Sequence, residues 1–529
     1  MKKMIPAFLF ILSVAICCGK NEPGGGGGTT PATPTDITLS AASVSAPAAG
    51  VSEEIVITSP ERPVVTIPSA AKSWLSYKEK GVYKNYTLTV TLTAAANDQY
   101  EARSADVTVS AKGMTAKTIT VSQEAKETIP DPTLPDNDAV AMSRALALGW
   151  NMGNHFDAFY NGSWAGEKEG YPDETAWQPN PATQALFNAV KAAGFTSVRI
   201  PISWLKTIGE APDYAIEENW INRVYEVVQF AHNAGLKVII NMHHDENHGV
   251  ANTYQWQDIK NAAKDPALNT AIKAKITGAW TQIANKFKSC GTDWLIMEGF
   301  NEINDGGWGW SADFRANPHT QCDILNEWNQ TFVDAVRATG GNNATRWLGV
   351  PSYAANPGFT EYMTLPNDPA SRIMVSVHFY DPSDYTIGDT QYSDWGHTGA
   401  VGKKAAGSDE DHVQEVFNNL YTNFVAKNVP VYIGEFGCSM RNKADTRAWK
   451  FYLYYLEYVV KAAKVFGMPC FLWDNGAEGY GKEKHGYFNH GTGEYVGNSR
   501  EPVQAMVKAR NTEDATYTLQ HVYESAPVF

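Results

Sequence analysis

From residue 36 to residue 126 the chain alternates. Apolar residues recur at every second position between Thr, Ser and charged residues, as in Ile55-Val-Ile-Thr, Tyr86-Thr-Leu-Thr-Val-Thr-Leu-Thr, Ala105-Asp-Val-Thr-Val-Ser and Lys117-Thr-Ile-Thr-Val-Ser. Period two puts one face of a strand in a core and the other in water, and turn residues separate the runs. The pattern predicts a small all-β sandwich of immunoglobulin type over 36–126. Pro130-Asp-Pro-Thr-Leu-Pro135 follows, which predicts a stiff, extended linker over 127–138. Beyond residue 139 short apolar runs alternate with amphipathic stretches. Strands are predicted over Leu148–Asn154, Ser197–Ser203, Lys237–His243, Trp294–Asn301, Trp347–Pro351, Ile373–Tyr380, Val431–Glu435 and Cys470–Asp474. Helices are predicted over Pro181–Ala193, Glu217–Ala234, Ala271–Lys288, Asp323–Thr339, Asp411–Lys427 and Ala444–Phe466. Eight such alternations make 139–529 an α/β domain, a (β/α)8 barrel with long loops.

The first residues carry a different signal. Lys2 and Lys3 precede a mostly apolar run from Met4 to Ile16, too short to span a bilayer. Cys17-Cys18 and a glycine run, Gly24 to Gly28, follow. This start resembles a bacterial lipoprotein signal, which implies a signal peptide over 1–18, lipid attached to Cys17 or Cys18, and a flexible tether over 19–35. Ile16 stands where that family usually has a small residue. Four cysteines remain beyond the signal: Cys290, Cys322, Cys438 and Cys470. Their spacings match no zinc pattern, and both buried thiols and a disulfide stay open.

Charge narrows the partners. The formal charge is -14, so phosphate polymers are repelled and nucleic acid is not expected. Of the 16 Trp, fifteen lie beyond residue 139, which favours flat, uncharged ligands in the second domain.

In a (β/α)8 barrel chemistry sits where strands end, and these ends are polar. They read Gly149-Trp-Asn-Met-Gly-Asn154, Val198-Arg-Ile-Pro-Ile-Ser-Trp204, Asn241-Met-His-His-Asp245, Glu298-Gly-Phe-Asn-Glu302, His378-Phe-Tyr380, Gly434-Glu435 and Leu472-Trp-Asp-Asn475. A core built for stability alone would not gather such groups. Glu302 ends the fourth strand and Glu435 the seventh, across the barrel mouth from one another. Two carboxyl groups facing one cleft suit glycoside hydrolysis, one protonated as acid and one ionised as nucleophile. Asn301 is placed to donate to a sugar 2-hydroxyl. Tyr380 and Arg199 are placed to hold Glu435 ionised and lower its pKa. Glu298 shares the inward face of the fourth strand and reads as a buried structural partner. The run His243-His244-Asp245-Glu246 with His248 lacks the spacing of a helical zinc site, so no metal and no cofactor is expected. Asp157 and Asp474 lie near the rim without an assigned role.

These motifs resemble glycoside hydrolase family 5. The carriers are Gly149–Asn154, Gly194-Phe-Thr-Ser-Val-Arg-Ile-Pro-Ile-Ser-Trp204, Val238-Ile-Ile-Asn-Met-His-His244, Phe300-Asn-Glu302, His378-Phe-Tyr380, Tyr432-Ile-Gly-Glu-Phe-Gly437 and Phe471-Leu-Trp473. The resemblance implies Glu302 as acid/base and Glu435 as nucleophile, with net retention. It also implies a surrounding shell of Arg199, His243, Asn301, His378, Tyr380 and Trp473, to which the strand ends and rim loops add Asn154, Trp204, His244 and Trp308 as candidate substrate-binding residues. The family usually has Pro after the Asn-Glu pair, and Ile303 stands here, which leaves the path of the following loop open. The first domain resembles the BACON module of Bacteroidetes surface proteins through Trp74-Leu75, Arg103-Ser-Ala-Asp-Val-Thr-Val and Thr118-Ile-Thr-Val-Ser-Gln123. It carries no carboxylate pair, and the reading favoured is a spacer rather than a glycan binder.

Trp204, Trp308, Trp310, Trp395 and Trp473 lie in or near the rim loops, and no Lys or Arg cluster accompanies them. Indoles suit the apolar faces of β-linked glucose or mannose units, not uronic acids. The opening motif, with Asn180-Pro-Ala-Thr-Gln184, resembles subfamily 4, which holds endoglucanases, lichenases and xyloglucanases. Its union with a lipoprotein signal and a BACON module suggests an endo-β-1,4-glucanase on a neutral β-glucan such as xyloglucan, and a monomer is expected. The signal adds an outer-membrane, lipid-anchored position facing the exterior. The alternatives are a broad endoglucanase on mixed-linkage glucan or cellulose derivatives, and a non-catalytic glycan-binding lipoprotein.

Overall fold

In the computed structural model of this chain residues 33–97, 99–126, 129, 131–162, 165–248, 254–388 and 392–529 are described. The signal over 1–18 with Cys17 and Cys18, and the tether up to residue 32, lie outside those residues. The chain divides into two units, one ending at residue 128 and one beginning at Ile129.

The Thr/Val alternation of the first unit becomes eight strands. They are β1 (Thr38–Leu39), β2 (Ser43–Ala46), β3 (Val51–Thr58), β4 (Val64–Thr66), β5 (Leu75–Lys84), β6 (Thr87–Ala94), β7 (Arg103–Ser110) and β8 (Lys117–Gln123). One sheet has the order β1-β3-β6-β5 and the other β2-β8-β7-β4. Every second residue faces inward: Ile55, Ile57, Leu88, Val90 and Leu92 meet Val107, Val109, Ile119 and Val121 in one core. The residues that carried the module resemblance tie the sheets together. Arg103 lies over the Trp74 ring at 4.6 Å, and its Nε donates to Gln123 (2.9 Å). Gln123 in turn donates to the carbonyls of Pro47 and Ala95. Buried backbone acceptors at a sheet corner are satisfied this way.

The second unit is the expected (β/α)8 barrel. Its strands are β9 (Leu148–Met152), β10 (Ser197–Ile200), β11 (Lys237–Ile240), β12 (Leu295–Glu298), β13 (Leu348–Pro351), β14 (Ile373–Phe379), β15 (Val431–Phe436) and β16 (Cys470–Asp474). They pair in sequence order, and β16 closes on β9. Helices Gln184–Ala192, Glu218–Asn233, Pro266–Lys286, His319–Ala338, Glu410–Asn423 and Thr446–Val465 pack outside. Helix Asp138–Leu146 precedes β9 and covers the end where strands begin. Its Ala139 and Leu146 join Ile239, Ile296, Trp347, Met374, Tyr432 and Phe471 in a dry cluster.

Several strands stop earlier than the apolar pattern. β10 ends at Ile200, not Ser203, and β11 at Ile240, not His243; β12 ends at Glu298, not Asn301. Ile202, Met242 and Phe300 stay buried, so the apolar periodicity runs past the ladder while the backbone turns to build the rim. The expected linker is fixed to the second unit from Thr133 onward. Tyr421 donates to the Thr133 carbonyl (3.0 Å), and Leu134 lies against Gly467. Cys290, Cys322, Cys438 and Cys470 are all buried free thiols, which closes the disulfide alternative.

Candidate active site

The barrel interior carries charge at its rim end. Arg199 on β10 is fully buried and spends its fork on four neighbours. Its Nε donates to Glu298 (2.7 Å), its Nη1 to Glu435 (2.8 Å) and Asn151 (3.1 Å), and its Nη2 to Asn301 (2.7 Å). A buried cation is tolerated only when paired and hydrogen-bonded, and here two carboxylates do both. Glu298 also accepts from Ser376 (2.5 Å) and Tyr432 (2.9 Å), the structural role expected of it.

Glu302 and Glu435 stand above this layer. Between β14 and β15 the ladder shifts register at Val377/His378, so His378 stands opposite Glu435. Such irregularities re-aim side chains. Gly434 makes room: a Cβ there would lie 3.1 Å from the His378 ring nitrogen. His378 Nδ1 lies 2.7 Å from Glu302 and 3.8 Å from Glu435. One oxygen of each glutamate and a ring nitrogen of His378 fall within 4.8 Å of one another. Tyr380 donates to the second Glu435 oxygen (3.1 Å), and His243 Nε2 lies 3.9 Å from the first.

The two carboxyl groups differ in surroundings. Burial and the charge of Glu246 push Glu302 up to about 7, against Arg199, His244 and His248. Burial also raises Glu435, opposed by His378 and by the Arg199 guanidinium in contact with it. The expected net lowering of Glu435 is therefore corrected: Arg199 acts in the expected direction, but loss of water outweighs it. Burial holds His378 down to about 4, so it is neutral at working pH. His244 behaves oppositely. Against the pull of burial, its hydrogen bond to Glu246 and the charges of Glu246, Asp157 and Glu302 raise it to about 9. Glu246 thus sits buried between His244 (3.3 Å) and His248 (3.6 Å).

The cleft above the pair holds about 750 Å³. Asn154, His243, His244, Trp308, His378, Tyr380 and Trp473 line it with Glu302 and Glu435. Trp473 lies parallel to the His243 ring, 5.9 Å between centroids. Arg199 and Asn301 are buried behind the wall and reach the cleft through Glu435. Trp204 is a correction. It is fully buried, donates to the Asn241 carbonyl (3.0 Å) and does not line the cleft. Trp395 likewise packs against Tyr454, Tyr455 and Tyr458. Both sit in rim segments, but their side chains turn inward to fill the shell, which no linear pattern reveals.

Asp474, unassigned in sequence, accepts from Trp150 (3.0 Å) and from the backbone of Gly476, Tyr487 and Phe488, so it ties the last loop. Asp157 lines the cleft and, with His243 and His244, places three ligand atoms within 4.8 Å. Its carboxylate already accepts the N–H groups of Asn154 and His155. Trp177, Asn356, Asp381 and His485 also line the cleft and were missed. They come from loops with no apolar period to flag them.

Comparison with known proteins finds matches among family 5 glycosyl hydrolases. Residues 160–479 match the family model described as cellulase (glycosyl hydrolase family 5), and residues 53–124 match BACON, described as a putative N-terminal binding domain. Endoglucanase A of Paenibacillus barcinonensis is 35% identical over 364 residues, 66% of this chain and 84% of its own. The xyloglucan-specific endo-β-1,4-glucanase of Bacteroides ovatus is 33% identical over 426 residues, 77% of this chain and 80% of its own. The structure of a GH5-4 broad specificity endoglucanase from Bacteroides salanitronis aligns with TM-score 0.67 and 48% identity, covering 74% of this chain and 99% of that one.

Proposed function

The chain belongs to glycoside hydrolase family 5, and on that premise we propose that it is a retaining endo-β-1,4-glucanase of subfamily 4 whose preferred substrate is xyloglucan. The observation that carries the mechanism is the Glu302/Glu435 pair, which brings one oxygen of each carboxylate within 4.8 Å in the cleft and so supports the closer, retaining spacing. Retaining pairs stand about 5–5.5 Å apart and inverting pairs about 6.5–9.5 Å, because only the latter leave room for a water. Glu302, protonated below its raised pKa of about 7, gives its proton to the glycosidic oxygen. Glu435 attacks the anomeric carbon and forms a glycosyl-enzyme bond as the leaving sugar departs. Arg199 and Tyr380 hold its carboxylate in place for that attack. Glu302, now ionised, then takes a proton from a water whose oxygen bonds to the anomeric carbon; the bond to Glu435 breaks, the sugar leaves with the new hydroxyl, and both groups are restored. His378, in contact with Glu302, positions the acid.

The cleft is lined by indoles and carboxylates without a Lys or Arg, which supports a neutral β-glucan over an anionic one. The Bacteroides ovatus relative supports xyloglucan within that class. The broad-specificity structural neighbour supports a second reading, an endoglucanase on mixed-linkage glucan. Hydrolysis of xyloglucan beside an unbranched mixed-linkage glucan, at equal mass, decides between them. A faster rate on the linear polymer would replace the xyloglucan reading. Glu435→Ala tests the mechanism: reducing-sugar release is expected to be lost, and an unchanged rate would refute it; a wild-type protein that releases no sugar would point to a glycan binder. We further propose that Cys17 or Cys18 carries lipid and holds the enzyme on the outer membrane, facing out. Loss of radiolabelled palmitate when both are changed to Ala tests it; a protein that is never labelled refutes it.

A further inference from the structure

A single side chain behind the acid ties neighbouring loops together. Asn304 follows Glu302 by two positions and is fully buried. Its Oδ1 accepts the N–H groups of Gly306 (2.7 Å) and Trp308 (3.4 Å), which settles which end of the amide is oxygen. Its Nδ2 therefore donates, to the Glu302 carbonyl (2.8 Å) and to His248 Nε2 (3.1 Å). Both amide hydrogens and both lone pairs are used, the full capacity of an asparagine side chain. His248 stands 3.6 Å from Glu246 through the same nitrogen, beyond hydrogen-bonding distance, so Asn304 is its partner there. His248 follows β11 and Asn304 follows β12, so the bond joins two adjacent loops. They also meet at the backbone: Gly306 has φ +84°, and a Cβ there would lie 2.5 Å from the His248 carbonyl oxygen. On the other side Ala354, after β13, donates its N–H to the Ile303 carbonyl (2.9 Å). Further along, buried Asp305 accepts from Gly307 (2.9 Å), Ser311 (2.5 Å) and Gln321 (3.0 Å), and braces the segment that carries Trp310, 77% exposed.

This bonding matters for chemistry because an acid must be aimed. The proton passes from Glu302 to the departing oxygen as the bond from that oxygen to the anomeric carbon breaks. His378 holds the carboxyl head (2.7 Å), and Asn304 holds the main chain at its root. Ile303 has no ring to lock its backbone, so side-chain bonds fix the turn between them. Misplacing a reacting group by about 1 Å can cost on the order of a hundredfold in rate. We propose that Asn304, clamped to His248, is a positioning residue for the acid step: it holds the Glu302 main chain so that the carboxyl meets the leaving-group oxygen. Asn304 does not line the cleft and acts only through Glu302. The inference rests on the glycosidase reading above.

The test varies the need for a proton while the leaving group stays one ring in size. Phenyl β-cellotrioside releases a basic phenolate and needs the acid. 2,4-Dinitrophenyl β-cellotrioside releases a stable anion and needs almost no proton. In Asn304→Ala the ratio of kcat/KM on the phenyl substrate to that on the dinitrophenyl substrate is expected to fall about tenfold. His248→Ala removes one of the four bonds and should lower the same ratio by less. Its side chain is 28% exposed, so it carries the test if the melting temperature shows Asn304→Ala unfolded. Equal falls on both substrates would overturn the inference, because they would make Asn304 a general support of the barrel. Unchanged rates on both would overturn it too. A wild-type protein inactive on these substrates and on polymeric β-glucan would instead sink the glycosidase reading, so the two failures are distinguishable.

Discussion

Glu302→Gln should stabilise the barrel at alkaline pH while abolishing hydrolysis. The carboxyl has a pKa near 4.5 in the unfolded chain and about 7 in the folded one. A group whose folded pKa is raised binds its proton more tightly in the native state. Its contribution is intact below pH 4.5 and is lost as pH rises through 7. Each unit of difference is about 1.4 kcal/mol, so the full effect is about 3 kcal/mol. At pH 5 about 1 kcal/mol of the loss is already present; at pH 8 almost all of it is. Gln does not titrate and escapes the loss. Its constant cost beside His378 cancels when the two pH values are subtracted. The stability difference between variant and wild type should therefore shift by about 2 kcal/mol in favour of the variant from pH 5 to pH 8. Urea unfolding followed by tryptophan fluorescence reads the barrel, because fifteen of the 16 Trp lie beyond residue 139. A difference that stays constant with pH would refute the claim that burial and Glu246 hold Glu302 protonated.

The same proton governs rate. The alkaline limb of kcat/KM should fall near pH 7, and Glu246→Gln should move it to lower pH by removing a repelling charge; an unmoved limb argues against the cluster. Arg199→Met should cost about 3–5 kcal/mol of stability, because it leaves Glu298 buried without its cation, and it should lower kcat through Glu435; both are read by urea unfolding and initial rates. Trp204→Phe should lower stability by about 1–3 kcal/mol through the lost bond to the Asn241 carbonyl, with KM unchanged, since the side chain is outside the cleft. Dialysis against chelator should leave activity intact; its loss would return Asp157, His243 and His244 to consideration as metal ligands.

Much of the site was legible because barrel chemistry sits at strand ends. An apolar run followed by Asn-Glu or Gly-Glu locates Glu302 and Glu435 at the rim without any contact map, and the polar end of the run Ile373–Tyr380 locates His378 and Tyr380. Glu298 was legible from parity alone. Trp204 misled for the same reason: position on a rim segment says nothing about which way a side chain turns. The pKa of Glu435 misled because its partners were readable and its burial was not. Trp310 was visible as a rim residue, yet its exposure and the buried Asp305 that braces its loop were not.

The two domains, the eight-fold alternation of the second and the two carboxylates at its strand ends can be read along the chain. Periodicity and strand-end position are local properties, and a chain states them residue by residue. The oxygen spacing of the pair, the four-way bonding of Arg199, the opposite shifts of His244 and His378, and which indoles line the cleft come from the folded barrel. Those depend on distances between residues far apart in the chain and on how much water each group loses, and neither exists until the barrel closes.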